Sequence, residues 1–344
     1  MVRAQRQDPG VQLPCRYDHH VRADGHPAGL RVRSRGRNLI SGPESSRQRK
    51  GIPVTARDPA ERRPIAVVGA TGLQGRATAR ALLRTQAAVR ALARRTDSAA
   101  ARALTGLGAD LVAADLDDPE SLRAAFTGVD GVFAMTTPGY DQRTDIEVAH
   151  GHAIADGAAA VGVPHVIYSS VGGAERHTGI PHFEGKRDVE EYLVARGLST
   201  TFVRPVFRDN FAQFMTPAMQ DGKLMVRIPL PPGIPLQMIA AEDVGAVAAA
   251  VALDPGRVAG GSVEIAGYER TGEQIAEAYQ HRHDVPARYE PLPIEVLGGD
   301  ADQRAMFEWF ARPPAFRADF AATKALAPRT KTFEQWLAAR PERE

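Results

Sequence analysis

The stretch "VVGATGLQGRATA" constrains the fold of this chain more than any other. Apolar, β-branched residues run straight into Gly69, Gly72 and Gly75, and helix-forming residues follow at once. A strand that turns on glycines into a helix is the opening of a dinucleotide-binding β-α unit. The first glycine permits the tight turn, the second lets backbone approach a pyrophosphate, and the third lets helix pack on strand. The helix N-terminus then offers unpaired N–H groups and a positive dipole end to phosphate.

The chain beyond this loop keeps the same rhythm. Short apolar runs ("AAVRALAR", "ADLVAAD", "DGVFAM", "HVIYSS", "STTFVRP") alternate with alanine-rich segments of helical period. Asp118 is placed to cap the helix that begins at Pro119, with Gly128 near its end. Near-continuously apolar strands separated by helices imply a parallel sheet covered on both faces, an α/β doubly wound (Rossmann) fold. The spacing predicts a dinucleotide-binding domain over residues 61–210. A smaller C-terminal α/β lobe over 211–344 is expected to return some elements to it. In that lobe a helix is expected over 241–253, a strand at "GSVEIAG" and a last helix near "FEQWLAAR". "RIPLPPGIPLQM" reads as a proline-rich loop.

Charge is uneven. Residues 1–60 carry 12 Lys and Arg against 5 Asp and Glu, leaving 31 basic and 36 acidic residues for 61–344. The leader lacks sustained hydrophobic periodicity and an apolar signal core, and reads as a disordered tail or a mis-called start ahead of Val54. A mildly acidic folded part argues against nucleic acid as partner. The only cysteine, Cys15, lies in the leader, so neither a disulfide framework nor a cysteine-ligated metal site is expected. His281 and His283 lack an acidic or histidine partner set, and no metal is expected. No stretch reaches the roughly 18 apolar residues of a membrane span. A cytoplasmic protein is expected, with its oligomeric state left open.

Cofactor choice is read about 20 residues past the glycines. There "ALARRTD" places Arg94 and Arg95 where an acid would select NAD, which favours NADP(H) over NAD(H). Asp115 and Leu116, after the third strand, are expected beside the adenine. Phe207, Phe211 and Phe214 ahead of the proline-rich segment read either as core or, with Val206 and Tyr168, as walls of a pocket.

The order and spacing of "GATGLQG", "ARRT", "ADLDDPESLRAAFTGVDGVFAMT", "GVPHVIYSSVGGA", "HFEGKRDVEEYL", "TFVRPVFRDNF" and "AGYERTGEQIAEA" resemble the NmrA-like family, an atypical branch of the short-chain dehydrogenase/reductase superfamily. The resemblance runs from about residue 64 to 340. It implies NADP(H) bound to an extended Rossmann domain. Gly69, Thr71, Gly72, Leu73, Gln74 and Gly75 would hold pyrophosphate, Arg94 the 2′-phosphate, Thr136 and Thr137 the cofactor's flank, and Lys186 the nicotinamide ribose. Where many members carry a cofactor-side lysine, this chain has His152.

That superfamily keeps a tyrosine four residues before the lysine, and here the position is His182. His182 could serve as a general acid, because an unperturbed imidazole titrates near pH 6.5. Ser170, at the carboxyl end of the fifth strand, is the candidate to bond a substrate oxygen. A quinone delocalises the charge that hydride brings, so a strong acid matters less to its reduction. The family includes NADPH-dependent quinone reductases as well as redox-responsive regulators. The expectation is an oxidoreductase reducing a quinone or similar small carbonyl compound. The alternative is a non-catalytic NADPH/NADP sensor acting on a protein partner.

Overall fold

In the computed structural model, which describes residues 63–137, 143–208 and 216–340, the β-α rhythm becomes one parallel sheet. The first half alternates β1 (Ile65–Val67), α1 (Leu73–Arg84), β2 (Val89–Ala93), α2 (Ala99–Thr105), β3 (Asp110–Ala113), α3 (Pro119–Phe126), β4 (Gly131–Met135), α4 (Thr144–Ala160), β5 (Val166–Ser169), α5 (Pro181–Ala195) and β6 (Thr200–Pro205). There follow β7 (Phe207–Arg208), β8 (Ala218–Gln220), β9 (Lys223–Ile228), β10 (Leu236–Ile239), α6 (Ala241–Leu253) and β11 (Ser262–Ile265). The chain continues through β12 (Tyr268–Arg270), α7 (Gly272–His283), β13 (Ala287–Pro291), α8 (Ala301–Phe310), α9 (Phe320–Leu326) and α10 (Phe333–Ala338). The leader, residues 1–60, lies outside the described residues.

The sheet runs β3-β2-β1-β4-β5-β6-β11, with all neighbours parallel. Strand order reverses between β1 and β4. Open α/β sheets bind ligands at such a switch point, outside the carboxyl ends of the strands. One face of the sheet is covered by α1, α6 and the C-terminal elements around Val244, Phe307 and Phe333. The other packs on α3, α4 and α5 through Leu122, Ile154 and Leu193. Asp118 caps α3, its carboxylate accepting from the N–H groups of Glu120 and Ser121.

Two close helix contacts set the site's geometry. A Cβ on Gly245 of α6 would lie 2.4 Å from the carbonyl carbon of Ala77, so glycine lets α6 sit against α1. A Cβ on Gly151 of α4 would lie 2.3 Å from Val189 Cγ2. The missing side chain therefore draws α4 and α5 together, one turn from Glu147 and Lys186.

The proline-rich segment is not simply a loop. It takes in the end of β9 and the start of β10, which belong to two small sheets, β13-β9-β8 and β12-β10-β7. Prolines 229, 231 and 232 fall between the strands, where no ladder hydrogen bond is needed. Among the described residues no helix is long and apolar enough to cross a membrane.

Candidate functional site

The glycine loop turns at the end of β1. Gly69 takes φ +62°, a conformation costly for any residue with a Cβ, and its carbonyl accepts from the Gly72 N–H at 2.9 Å. A Cβ on Gly75 would lie 2.2 Å from that same carbonyl oxygen, so α1 rests directly on the loop. The N-cap of α1 is Gly72, with no side-chain cap and no acid in the first turn. The first N–H groups of the helix therefore face outward without a protein acceptor from a cap. These features fit a dinucleotide pyrophosphate: backbone fills the space a side chain would need, and the positive helix end is open.

Thr71 is half-buried and Leu73 exposed, whereas the Gln74 side chain turns inward. Its Oε1 accepts from Ser169 Oγ at 2.7 Å, which ties the loop to the end of β5. The Ala70 N–H donates to Leu92 O at 3.0 Å and brings the end of β2 beside the loop. Arg94 and Arg95 follow there, both exposed. Arg95 is 3.5 Å from Asp97, while Arg94 has no ion pair among the described residues. Asp115 is exposed and its carboxylate accepts from the Asp117 N–H, while Leu116 packs half-buried against the second core cluster.

The most enclosed chemistry lies where β4 and β5 end. The Lys186 ammonium, carried in by α5, donates to Thr136 O at 2.7 Å and Thr136 Oγ1 at 3.2 Å. It is also 2.8 Å from Glu147 Oε1. Glu147 is only 1% exposed and its Oε2 has no hydrogen bond, so Lys186 supplies the charge that keeps this carboxylate tolerable in the interior. Thr136 Oγ1 bonds both Glu147 and the Tyr168 hydroxyl. Burial pushes the Tyr168 phenol up, against the opposing pull of the Lys186 charge. Next along the chain, the Ser170 hydroxyl is buried without a partner. Its backbone N–H is spent on Val203 O at 2.8 Å. A buried hydroxyl with no acceptor at the ligand edge of the sheet fits a group supplied from outside the chain. Thr137 follows Thr136 and is exposed.

His182 stands one turn ahead of Lys186, at the second position of α5. Its Nδ1 lies 2.8 and 2.7 Å from the two carboxylate oxygens of Asp302, at the start of α8. Its backbone N–H also donates to Asp302 Oδ1 at 2.9 Å. The structure thus brings together Gly69, Gly72, Gly75, Thr136, Ser170, Lys186 and His182 around one sheet edge.

Other expected positions have different surroundings. Tyr168, Val206 and Phe207 are 1%, 3% and 5% exposed and belong to the core rather than to a pocket wall. Phe207 is packed between the rings of Phe307 and Phe310, at 6.4 and 5.5 Å. Phe211 and Phe214 lie outside the described residues. His152 is engaged by α5: its ring stacks on Tyr192 at 3.8 Å and its Nε2 meets Asp188 at 2.6 Å. It lies about 140° around α4 from Glu147, the side chain of that helix which does face Lys186. Two clefts, of about 550 and 490 Å³, lie on α7 and touch neither the glycine loop nor Lys186.

Sequence reasoning missed Glu147 and Asp302. Glu147 had a signal, as an acid on the buried stripe that continues through Gly151, Ile154, Ala155 and Ala158. Asp302 had none, since it lies 120 residues from its histidine.

Fold and site together define a doubly wound dinucleotide-binding protein. The sequence profile of the NmrA-like family matches residues 61–337, and the chain belongs to that family. An NmrA-like family domain-containing oxidoreductase of Cladobotryum sp, FrzB, is 30% identical over 259 residues, 66% of this chain and 76% of that one. A similarly described oxidoreductase of Aspergillus japonicus, himF, is 33% identical over 187 residues, 48% of this chain and 56% of that one. Among solved structures, NmrA, a negative transcriptional regulator in complex with NADP, is 22% identical with TM-score 0.69, covering 81% of this chain and 95% of that one. An NADPH-dependent quinone oxidoreductase of Escherichia coli in complex with NADPH is also 22% identical, with TM-score 0.67, over 80% of this chain and 98% of that one.

Proposed function

We propose that the chain is an NAD(P)H-dependent oxidoreductase that prefers NADP(H) and reduces a quinone or a similar small carbonyl compound. The observation that carries this reading is the Lys186 ammonium, held by Thr136 and Glu147 at the ends of β4 and β5 beside the unpartnered Ser170 hydroxyl. The dinucleotide-binding part is assigned to residues 61–210 and the acceptor side to 211–344, from which β11 returns to the sheet.

A reduced nicotinamide bound at this edge would supply hydride. The α1 N-terminus and the backbone of Gly69, Thr71, Gly72 and Gly75 would hold the pyrophosphate, with Arg94 on the 2′-phosphate. Lys186 would reach the nicotinamide ribose and fix its position. Ser170 donates its free hydroxyl to the acceptor oxygen. His182 would supply the proton that the reduced acceptor takes up. The relatives' oxidoreductase names support hydride chemistry, and the missing tyrosine favours an acceptor that tolerates the arriving charge. The alternative, a non-catalytic NADPH/NADP sensor of a protein partner, draws on the Lys186–Glu147 pair, which occupies the ammonium without any ligand.

The test is NADPH oxidation followed at 340 nm with a panel of quinones and aldehydes. The control combines Lys186→Met with Glu147→Gln, so that no buried carboxylate is left alone. Acceptor-dependent turnover that this control loses supports the enzyme. Tight NADPH binding without turnover on any acceptor supports the sensor.

A further inference from the structure

Asp302 takes no part in the cofactor apparatus, yet one carboxylate engages His182 three times. Both of its oxygens lie within 2.8 Å of Nδ1, and one also accepts the backbone N–H. Main chain and ring are thus gripped together, and the imidazole has little freedom to turn. Its edge also meets the Phe183 ring, with centroids 4.6 Å apart. A carboxylate so placed requires a proton on Nδ1, and therefore decides what the other nitrogen can do. No hydrogen bond of Nε2 is present among the described residues. The His182 side chain is 23% exposed, so water can reach the ring.

We propose that Asp302 is a positioning residue for proton delivery: it holds His182 with Nδ1–H directed at the carboxylate, so that Nε2 donates to the reduced acceptor. The assignment rests on the oxidoreductase reading above. Quinone plus hydride gives the hydroquinone monoanion, while the nicotinamide is oxidised by two electrons. The Nε2–H bond of the imidazolium then breaks and an O–H bond forms on that anion. A neutral ring remains with Nδ1–H still on Asp302, and solvent returns the proton to Nε2. Asp302 itself stays ionised. Burial pushes its acid up, but the hydrogen bonds and positive charge of His182 outweigh this and hold it below the usual carboxylate range. Asp302, from α8, meets the ring directly, and Lys186 follows one turn along α5.

A purely structural role is the competing explanation, because the same carboxylate tethers α8 to the first turn of α5. Asp302→Asn separates the two. Its amide oxygen still accepts the His182 N–H, but its NH2 group donates to Nδ1 and moves the neutral ring's proton to Nε2. Nitrogen-15 NMR of the histidine rings of the full chain should show the Nδ1–H tautomer in the wild type and the Nε2–H tautomer in the variant. NADPH affinity and melting temperature should stay close to wild type. kcat with a quinone should fall about a hundredfold, at the low end of what a general acid contributes, with KM little changed. In a His182→Gln background the same change should have no further effect.

An Nε2–H tautomer in the wild type overturns the proposal, whether or not the variant folds. Unchanged kcat in Asp302→Asn, or an equal loss in the His182→Gln background, overturns it while leaving the oxidoreductase reading intact. Wild-type protein that turns over no quinone overturns both.

Discussion

The contact of α1 with the glycine loop is tight enough to predict the effect of one methyl group. In Gly75→Ala the new Cβ would lie 2.2 Å from Gly69 O, 2.6 Å from Gly69 C and 2.9 Å from Val68 O. All three atoms are backbone, and no rotamer change relieves them. Restoring ordinary contact requires about 1 Å of separation between helix and loop. The helix has little room to retreat, because α6 abuts its far side at Ala77 through Gly245. The cost should therefore fall at about 2–3 kcal/mol, the upper part of the range for overpacking. For a folded part of this size that corresponds to a melting temperature lowered by about 3–5 °C. A helix displaced by 1 Å also takes its first N–H groups out of reach of a pyrophosphate. Losing two charge-assisted bonds of about 1.5 kcal/mol each weakens binding roughly a hundredfold. Thermal unfolding by circular dichroism and NADPH titration by fluorescence measure the two effects. Gly299→Ala, where a Cβ meets nothing within 4 Å, is the neutral control. A Gly75→Ala protein that melts within a degree of wild type and binds NADPH as tightly would refute the reasoning.

Three further outcomes are expected. Ser170→Ala removes a buried hydroxyl that has no partner. The variant should be as stable as wild type or more so, by up to about 1 kcal/mol, while its KM for quinone rises about tenfold; a clear loss of stability in urea unfolding would count against a free hydroxyl. Arg94→Ala should raise the Kd for NADPH about 10- to 100-fold and leave that for NADH unchanged, and equal losses with both cofactors would remove Arg94 from the 2′-phosphate. The third concerns His165, whose ring bonds Ser199 and Thr201 and which burial holds down at about 4 instead of 6.5. Above pH 6.5 folded and unfolded states are both neutral at this site. As pH falls, the unfolded chain takes a proton that the folded chain refuses, so stability declines from about pH 6.5 to about 4. The full shift corresponds to about 3 kcal/mol, and about half is expected because both hydroxyls can also accept from a charged ring. Urea unfolding at pH 7 and pH 4.5 should show this decline in wild type and a smaller one in His165→Asn.

Much of the site was legible because its spacings are local. Strand, glycines and helix follow one another within 13 residues, and the Asp118 cap and the His182–Lys186 spacing each lie within a helical turn. Backbone geometry alone converts such spacings into position. The NADP(H) expectation came from Arg94 in the same way, since the end of β2 must lie beside the loop after β1 once the two strands pair. Legibility ended where helix rotation mattered. His152 and Glu147 share α4, and only the packing of α4 on α5 turns the acid toward Lys186 and the histidine toward Asp188.

By itself, the sequence determined the β-α order, the phosphate loop and the placing of a lysine after a histidine on α5. All of these are set by propensity and period within short windows. Tertiary structure decided which charges meet. Glu147 reaches Lys186 because a glycine lets two helices close, and Asp302 reaches His182 across 120 residues because α8 folds back on α5. It also decided that Tyr168, Val206 and Phe207 fill the core, and that β9 and β10 are strands. The physical reason is common to these cases. Whether a side chain is buried or paired depends on surfaces supplied from distant parts of the chain, and a short stretch of sequence does not contain them.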